Sequence, residues 1–151
     1  EYAGNIDIAG HSLLSIINDI LDFSKIESGK MEIVCEEYKL GELLNDVVTM
    51  MELKAKQKNL GFEVDVCSDL PEVLYGDDMR IKQILLNLLN NAVKYTSVGK
   101  VGLNIKGEKD EAAESINLIM EIKDTGIGMK QEELDKLVQV IAEELLPLSR
   151  K

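Results

Sequence analysis

Two short stretches of the chain carry residue types that could hold a nucleotide. In Asn87–Thr96 (NLLNNAVKYT), Asn87, Asn91 and Tyr95 recur every four positions and Lys94 falls between them. On a helix that spacing gathers two amides, an amine and a phenol into one stripe. In Asp124–Met129 (DTGIGM) an alternating apolar run gives way to a carboxylate followed by Gly126 and Gly128. A strand end there can present Asp124 as a hydrogen-bond acceptor, while the glycine backbone lies close to a flat ligand. Each stretch alone is common, since D-x-G-x-G often marks nothing beyond a turn. Together, and in this order, they describe a pocket for an adenine nucleotide.

The elements that must position these residues follow from hydrophobic periodicity. From Asn5 to about Glu27 the apolar residues recur at three and four, and Ile6, Leu13 and Ile20 repeat every seven, which predicts a long helix ending at Gly29. It is apolar on more than one face around Leu13 to Phe23, so it needs covering partners. Met31, Ile33 and Cys35 alternate as a strand; Leu40 to about Lys58 is an amphipathic helix ended by Gly61; Phe62, Val64 and Val66 alternate as a half-buried strand. A short strand at Val73–Tyr75 precedes a helix over 78–96, expected to bury Ile81, Ile84, Leu85, Leu88, Leu89 and Ala92. Val101–Ile105 and Ile116–Ile122 then form a hairpin around a charged loop from Gly107 to Glu114. A last amphipathic pattern, Leu134 to Leu145, predicts a helix ending before Pro147. Helices segregated from antiparallel strands imply an α+β fold, a two-layer α/β sandwich preceded by a long helix.

With 45% hydrophobic and 30% charged residues among 151, the chain suffices for one core plus an appendage. A net charge of −11, from 17 basic and 28 acidic residues, excludes a nucleic-acid-binding face, which needs clustered Lys and Arg. Cys35 and Cys67 have no metal-ligand spacing and read as free, buried or half-buried thiols. No apolar run approaches the roughly 20 residues of a membrane helix, and the first residues do not have the pattern of a signal peptide. The opening inside a helical pattern, without Met, suggests a segment of something longer.

These residues resemble the catalytic region of sensor histidine kinases, the enzymes of two-component signalling. Leu14–Lys30 (LSIINDILDFSKIESGK) is similar to the end of that family's dimerisation hairpin, Gly76–Thr96 (GDDMRIKQILLNLLNNAVKYT) to its N box, and Asp124–Gly128 to its first glycine box. The resemblance implies two parts: residues 1–29 as the second helix of a dimerisation and phosphotransfer hairpin, and 30–151 as an ATP-binding catalytic domain cut short at its C-terminal end. It implies ATP and Mg²⁺, with Asn91 as the metal ligand, Asn87 and Lys94 beside the phosphates, and Tyr95 near base or ribose. Asp124 would accept from the exocyclic amine of adenine, and Gly126 and Gly128 would let the loop pass under the purine. The related chaperone and topoisomerase ATPases carry a Glu where Asn87 stands, and an amide cannot take a proton from water, so transfer of the γ-phosphoryl to histidine fits better than hydrolysis. No catalytic side chain is assigned within the chain. The implied partners are a response regulator receiver domain and a second copy through the N-terminal helix of the full protein. A cytoplasmic location is implied for this piece, with a membrane anchor left open for the whole.

Two departures shape the expectation. His11, the sole histidine, lies outside the family's acceptor motif and reads as a helix-surface or interface residue. After Leu137 no second glycine box follows, so the β- and γ-phosphates would lack backbone amides and the fragment is expected to bind nucleotide weakly and to be inactive alone. The alternative is a degenerate scaffold that acts by dimerisation or partner docking without nucleotide.

Overall fold

The structure, a computed structural model, describes residues 2–110 and 115–136, apart from side chains at 2–9, 11, 12, 15, 16 and 19. Contacts divide the chain into two units, Glu1–Cys35 and Glu36–Lys151.

The first unit is α1 (Tyr2–Glu27) and the irregular run that follows it. Its end is set by Gly29, at φ 64°. The Lys30 amide donates to the Lys25 carbonyl at 2.9 Å and the Gly29 amide to Ile26 at 3.0 Å, the paired bonds of a left-handed helix stop. Leu13, Leu14, Ile20, Leu21 and Phe23 are all exposed. The side chain of His11 lies outside the described residues.

The second unit runs β1 (Glu36–Lys39), α2 (Leu40–Gln57), β2 (Gly61–Val66), β3 (Val73–Gly76), α3 (Asp78–Tyr95), β4 (Lys100–Asp110), β5 (Ser115–Asp124). β1 pairs antiparallel with β3; β4 sits between β2, parallel to it, and β5, antiparallel. Val101, Leu103 and Ile105 point from β4 into a core completed by Leu43, Val47, Met51 and Ala55 of α2 and Leu85, Leu89, Ala92 and Val93 of α3. Each fully covered Leu, Val or Met there stabilises the fold by about 1.5–3 kcal/mol. α2 and α3 lie side by side and run in the same direction. Lys82 meets Asp46 at 2.6 Å, Lys54 meets Asn90 at 2.7 Å and Lys58 meets the Lys94 carbonyl at 3.0 Å, each pair separated by 36 positions.

Several expectations need correction. The first strand begins at Glu36; among the described residues no strand pairs with the Met31–Cys35 alternation to make it a ladder. The α2 helix stops at Asn59, which takes φ 57°, while the Leu60 amide donates to Ala55 at 2.9 Å. Gly61 serves a different purpose, since a side chain there would press on Lys100 Cβ at 3.1 Å. Val64 and Val66 are 40% and 42% exposed because β2 is an edge among the described strands. Both cysteines are free, but both are exposed. Residues 107–110 of the charged stretch read as a loop are strand, with Glu108 opposite Asn117 and Lys109 opposite Ile116, and 111–114 lie outside the described residues. Residues 131–136 are helical and begin with the Lys130 amide donating to Glu133 Oε2 at 3.1 Å, half of a capping box; the remainder of the last expected helix lies outside the described residues.

Candidate nucleotide site

Alternation along β5 decides where its carboxylate goes. Ile116, Leu118, Met120 and Ile122 are the half-covered members of the strand, and they share the side that faces the helices. Asp124 is next in that series and falls opposite Val101 of β4, so the inward row of apolar side chains ends in an acid. One step beyond, the chain folds against the last turn of α3. The Gly126 amide donates to Asp124 Oδ1 at 2.8 Å, and the Ile127 amide donates to the Tyr95 carbonyl at 3.3 Å.

The two glycines of the turn are required for different reasons. A side chain on Gly126 would stand 2.5 Å from the Tyr95 carbonyl oxygen and 2.7 Å from Asp124 Oδ1, so only a bare Cα lets strand and helix approach this closely. Gly128 sits at φ 66° with nothing within 4 Å of the position a Cβ would take, which leaves open space over the backbone. Thr125, just before them, locks the turn from below. Its amide donates to the Lys100 carbonyl at 3.2 Å, and its Oγ1 accepts from the Lys100 amide at 3.0 Å. Gly99, at φ 116°, makes room for that hydroxyl.

On α3 the predicted stripe is solvent-facing: Asn87, Asn91, Lys94 and Tyr95 are all exposed. The side-chain amides of Asn87 and Asn91 have no hydrogen-bond partner among the described residues, whereas the neighbouring Asn90 is taken by Lys54. Lys94 Nζ lies 5.1 Å from the centroid of the Tyr95 ring, within range of a weak cation–π contact. Ile84 and Leu88, expected in the core, are 55% and 50% exposed. They share the face of Asn91 and Tyr95, so that face mixes amides with apolar surface, as pockets for flat ligands do. Of the residues singled out from sequence, Tyr95, Asp124 and Gly126 are brought into direct contact. Asn87, Asn91 and Lys94 lie on the same helix within about two turns, and Gly128 lies two residues past the contact.

Asp124 Oδ2 has no partner among the described residues, so the carboxylate is oriented through one oxygen and able to accept through the other. Among the described residues no group of three or more His, Cys, Asp or Glu could hold a metal by itself. This donor set suits a cation that arrives on phosphates and takes one protein amide. A cleft of about 520 Å³ between β1, α2 and the start of α3, bordered by Tyr38, Asp78 and Lys82, is a separate feature, at the far end of a helix of 18 residues.

Sequence reasoning missed three residues that build this corner. The D-x-G-x-G pattern gives Thr125 no role. Thr96 is wholly buried, its Oγ1 donating to the Ala92 carbonyl at 2.7 Å. Lys58 reaches the end of α3 from α2, and no local pattern could announce a contact spanning 35 positions.

Residues 76–145 match the family described as histidine kinase-, DNA gyrase B-, and HSP90-like ATPase, a span that contains Asn87, Asn91, Lys94, Tyr95, Asp124, Gly126 and Gly128 but not Lys58. The whole chain is 40% identical to the sensor histidine kinase GacS of Pseudomonas protegens, covering 16% of that protein. It is 37% identical over 137 residues to hybrid signal transduction histidine kinase B of Dictyostelium discoideum, covering 91% of the chain and 7% of that protein. Among solved structures, full-length ShkA in complex with AMPPNP superposes with a TM-score of 0.68 at 31% identity, over 82% of this chain and 26% of that one. The histidine kinase AdeS of Acinetobacter baumannii gives a TM-score of 0.65 at 26% identity, over 82% of this chain and 58% of that one. Residues 76–145 thus match this ATPase family, and the relatives named here are histidine kinases. It spans less than a fifth of the length of both curated relatives named here. No helix among the described residues is long and apolar enough to cross a membrane.

Proposed function

We propose that this chain is the ATP-binding catalytic portion of a sensor histidine kinase, whose whole protein transfers the γ-phosphoryl of ATP to a histidine. The observation that carries the reading is the Asp124–Gly128 turn seated on the last turn of α3, which places an oriented carboxylate beside a helix face bearing two uncommitted amides. Asp124 Oδ2 accepts from the exocyclic amine of adenine, a group that guanine does not offer at that position. Gly126 and Gly128 let the purine lie against backbone. Asn91 supplies an oxygen to Mg²⁺, with Asn87 and Lys94 beside the phosphates; the ion when bound neutralises phosphate charge. An amide at 87 orients groups without accepting a proton, so the chain's own contribution is positioning and charge neutralisation. In the whole protein, α1 belongs to a dimerisation hairpin and the phosphoryl group passes on to a response regulator receiver domain. The exposed Leu13, Ile20 and Phe23 support a second copy as the cover for α1.

Titration with Mg-ATP, comparing wild type with Asp124→Ala, tests the reading. Saturable binding that is lost in the variant upholds it. Equal binding in both, or none in either with the fold intact by circular dichroism, overturns it in favour of a scaffold that has kept the fold alone.

A further inference from the structure

The last four carbonyls of α3 and its cap, residues 93–96, cannot find partners inside the helix, and the way they are satisfied is uneven. Three of them accept from one amine: Lys58 Nζ stands 2.8 Å from the Val93 oxygen, 3.0 Å from Lys94 and 3.4 Å from Thr96. The fourth, Tyr95, accepts from the Ile127 amide of the glycine turn at 3.3 Å. A cation at this spot also meets the negative end of the helix dipole. The same ring of oxygens is therefore shared between a lysine from α2 and the backbone that carries the candidate adenine contact.

Lys58 is itself held in place for the task. It is the residue directly after α2, where the chain makes its left-handed stop, its own amide donating to the Ala55 carbonyl at 3.0 Å with Asn59 at φ 57°. Ala55 is wholly buried in the core. The stem of Lys58 thus starts from a fixed backbone and needs only to span the groove between two helices that run alongside each other.

We propose that Lys58 is a positioning residue for the nucleotide site: by fixing the carbonyls of Val93, Lys94 and Thr96 it sets the direction in which the Tyr95 carbonyl receives the Asp124–Gly128 turn. The inference rests on the nucleotide-site reading for its function, though the coupling it describes is a property of the protein without ligand. Lys58 touches no substrate; it acts through the end of α3.

The test uses the full chain with Lys58→Met, which keeps the stem and removes the donors, and Lys58→Arg, which keeps charge and donors. Lys58→Gln is the fallback where Met prevents folding. The first readout is amide hydrogen exchange without nucleotide. Lys58→Met is expected to speed exchange at Ile127 by about tenfold, the loss of one charge-assisted bond, while the β4–β5 ladder stays as protected as in wild type and Lys58→Arg restores Ile127. Unchanged Ile127 exchange overturns the proposal, as does a uniform rise across the ladder, which would make Lys58 a general stabiliser. The second readout is Mg-ATP titration, where Lys58→Met is expected to weaken binding by about tenfold and Lys58→Arg to recover it. Wild type that binds no nucleotide overturns the nucleotide reading and leaves the exchange result to decide the coupling. Wild type and Lys58→Met that bind equally overturn the proposal for Lys58 and leave the site standing.

Discussion

The two ends of α3 are built by opposite means. At its start, Asp77 stands just before the helix and its carboxylate accepts from the Arg80 amide at 3.0 Å, with Asp78 adding negative charge to the first turn. The cap and the group it caps are three residues apart. At its end, the partners come from residue 58 in one direction and from residues 126 and 127 in the other. The capping bond at the start of the helix is local, whereas its end is the meeting point of α2, the β4–β5 hairpin and the glycine turn. A site placed at the second kind of end moves when any of three elements moves, and that is where the candidate nucleotide contacts lie.

The comparison is open to attack from its strongest point downward. Gly126→Ala should be the most damaging change, since the new carbon meets the Tyr95 carbonyl, which is backbone and cannot swing aside; the cost is about 2 kcal/mol or more, read as a lower Tm together with weakened Mg-ATP binding. A variant that melts like wild type would show that the turn is not seated on α3 as described. Gly128→Ala adds a side chain in open space and bears only the left-handed backbone penalty, about 1 kcal/mol. Asp77→Ala should cost about 1 kcal/mol in urea unfolding and leave nucleotide affinity unchanged. If it weakens Mg-ATP as much as Lys58→Met does, the two ends are not independent. Asp46→Asn, which removes the exposed partner of Lys82, should cost no more than about 0.5 kcal/mol, shrinking further in high salt.

The smallest effect, absent at neutral pH, belongs to Tyr38 near the start of α3. Burial first and the charge of Asp78 second push its phenol above the ordinary value of 10.0. The folded form thus holds its proton more tightly than the unfolded chain. Its contribution to stability is complete below about pH 10 and is lost as pH rises through the folded value. Chemical unfolding from pH 9 upward should show wild type falling faster than Tyr38→Phe, which keeps the ring and cannot ionise; parallel curves would refute the assignment.

Local chemistry was legible in the sequence because it is written in adjacent residues. The bounds of α2 and α3, the Gly29 stop and the outward stripe of Asn87, Asn91, Lys94 and Tyr95 all follow from spacing along one element. The misreadings involve choices that spacing leaves open. Ile84 and Leu88 occupy an apolar column beside that of Leu85 and Leu89, and periodicity does not say which column is covered. Gly61 was read as a helix stop, yet Asn59 can also adopt a left-handed turn, and the glycine was needed for Lys100 of a strand 39 positions later. Met31 to Cys35 has the alternation of a strand, but a strand exists only where another backbone lies beside it. The role of Lys58 was invisible for the same reason.

The pairing of β4 with β5 has a consequence for how this hairpin can change. Lys123 precedes Asp124, and the two point to opposite sides of the sheet. Sliding the hairpin by a single position would exchange them, so that an ammonium would greet whatever the acid now receives. Insertions or deletions upstream of the turn are therefore constrained by parity, much as a coding frame is constrained by threes: even steps keep the sign of the charge at the strand's end, and odd steps reverse it.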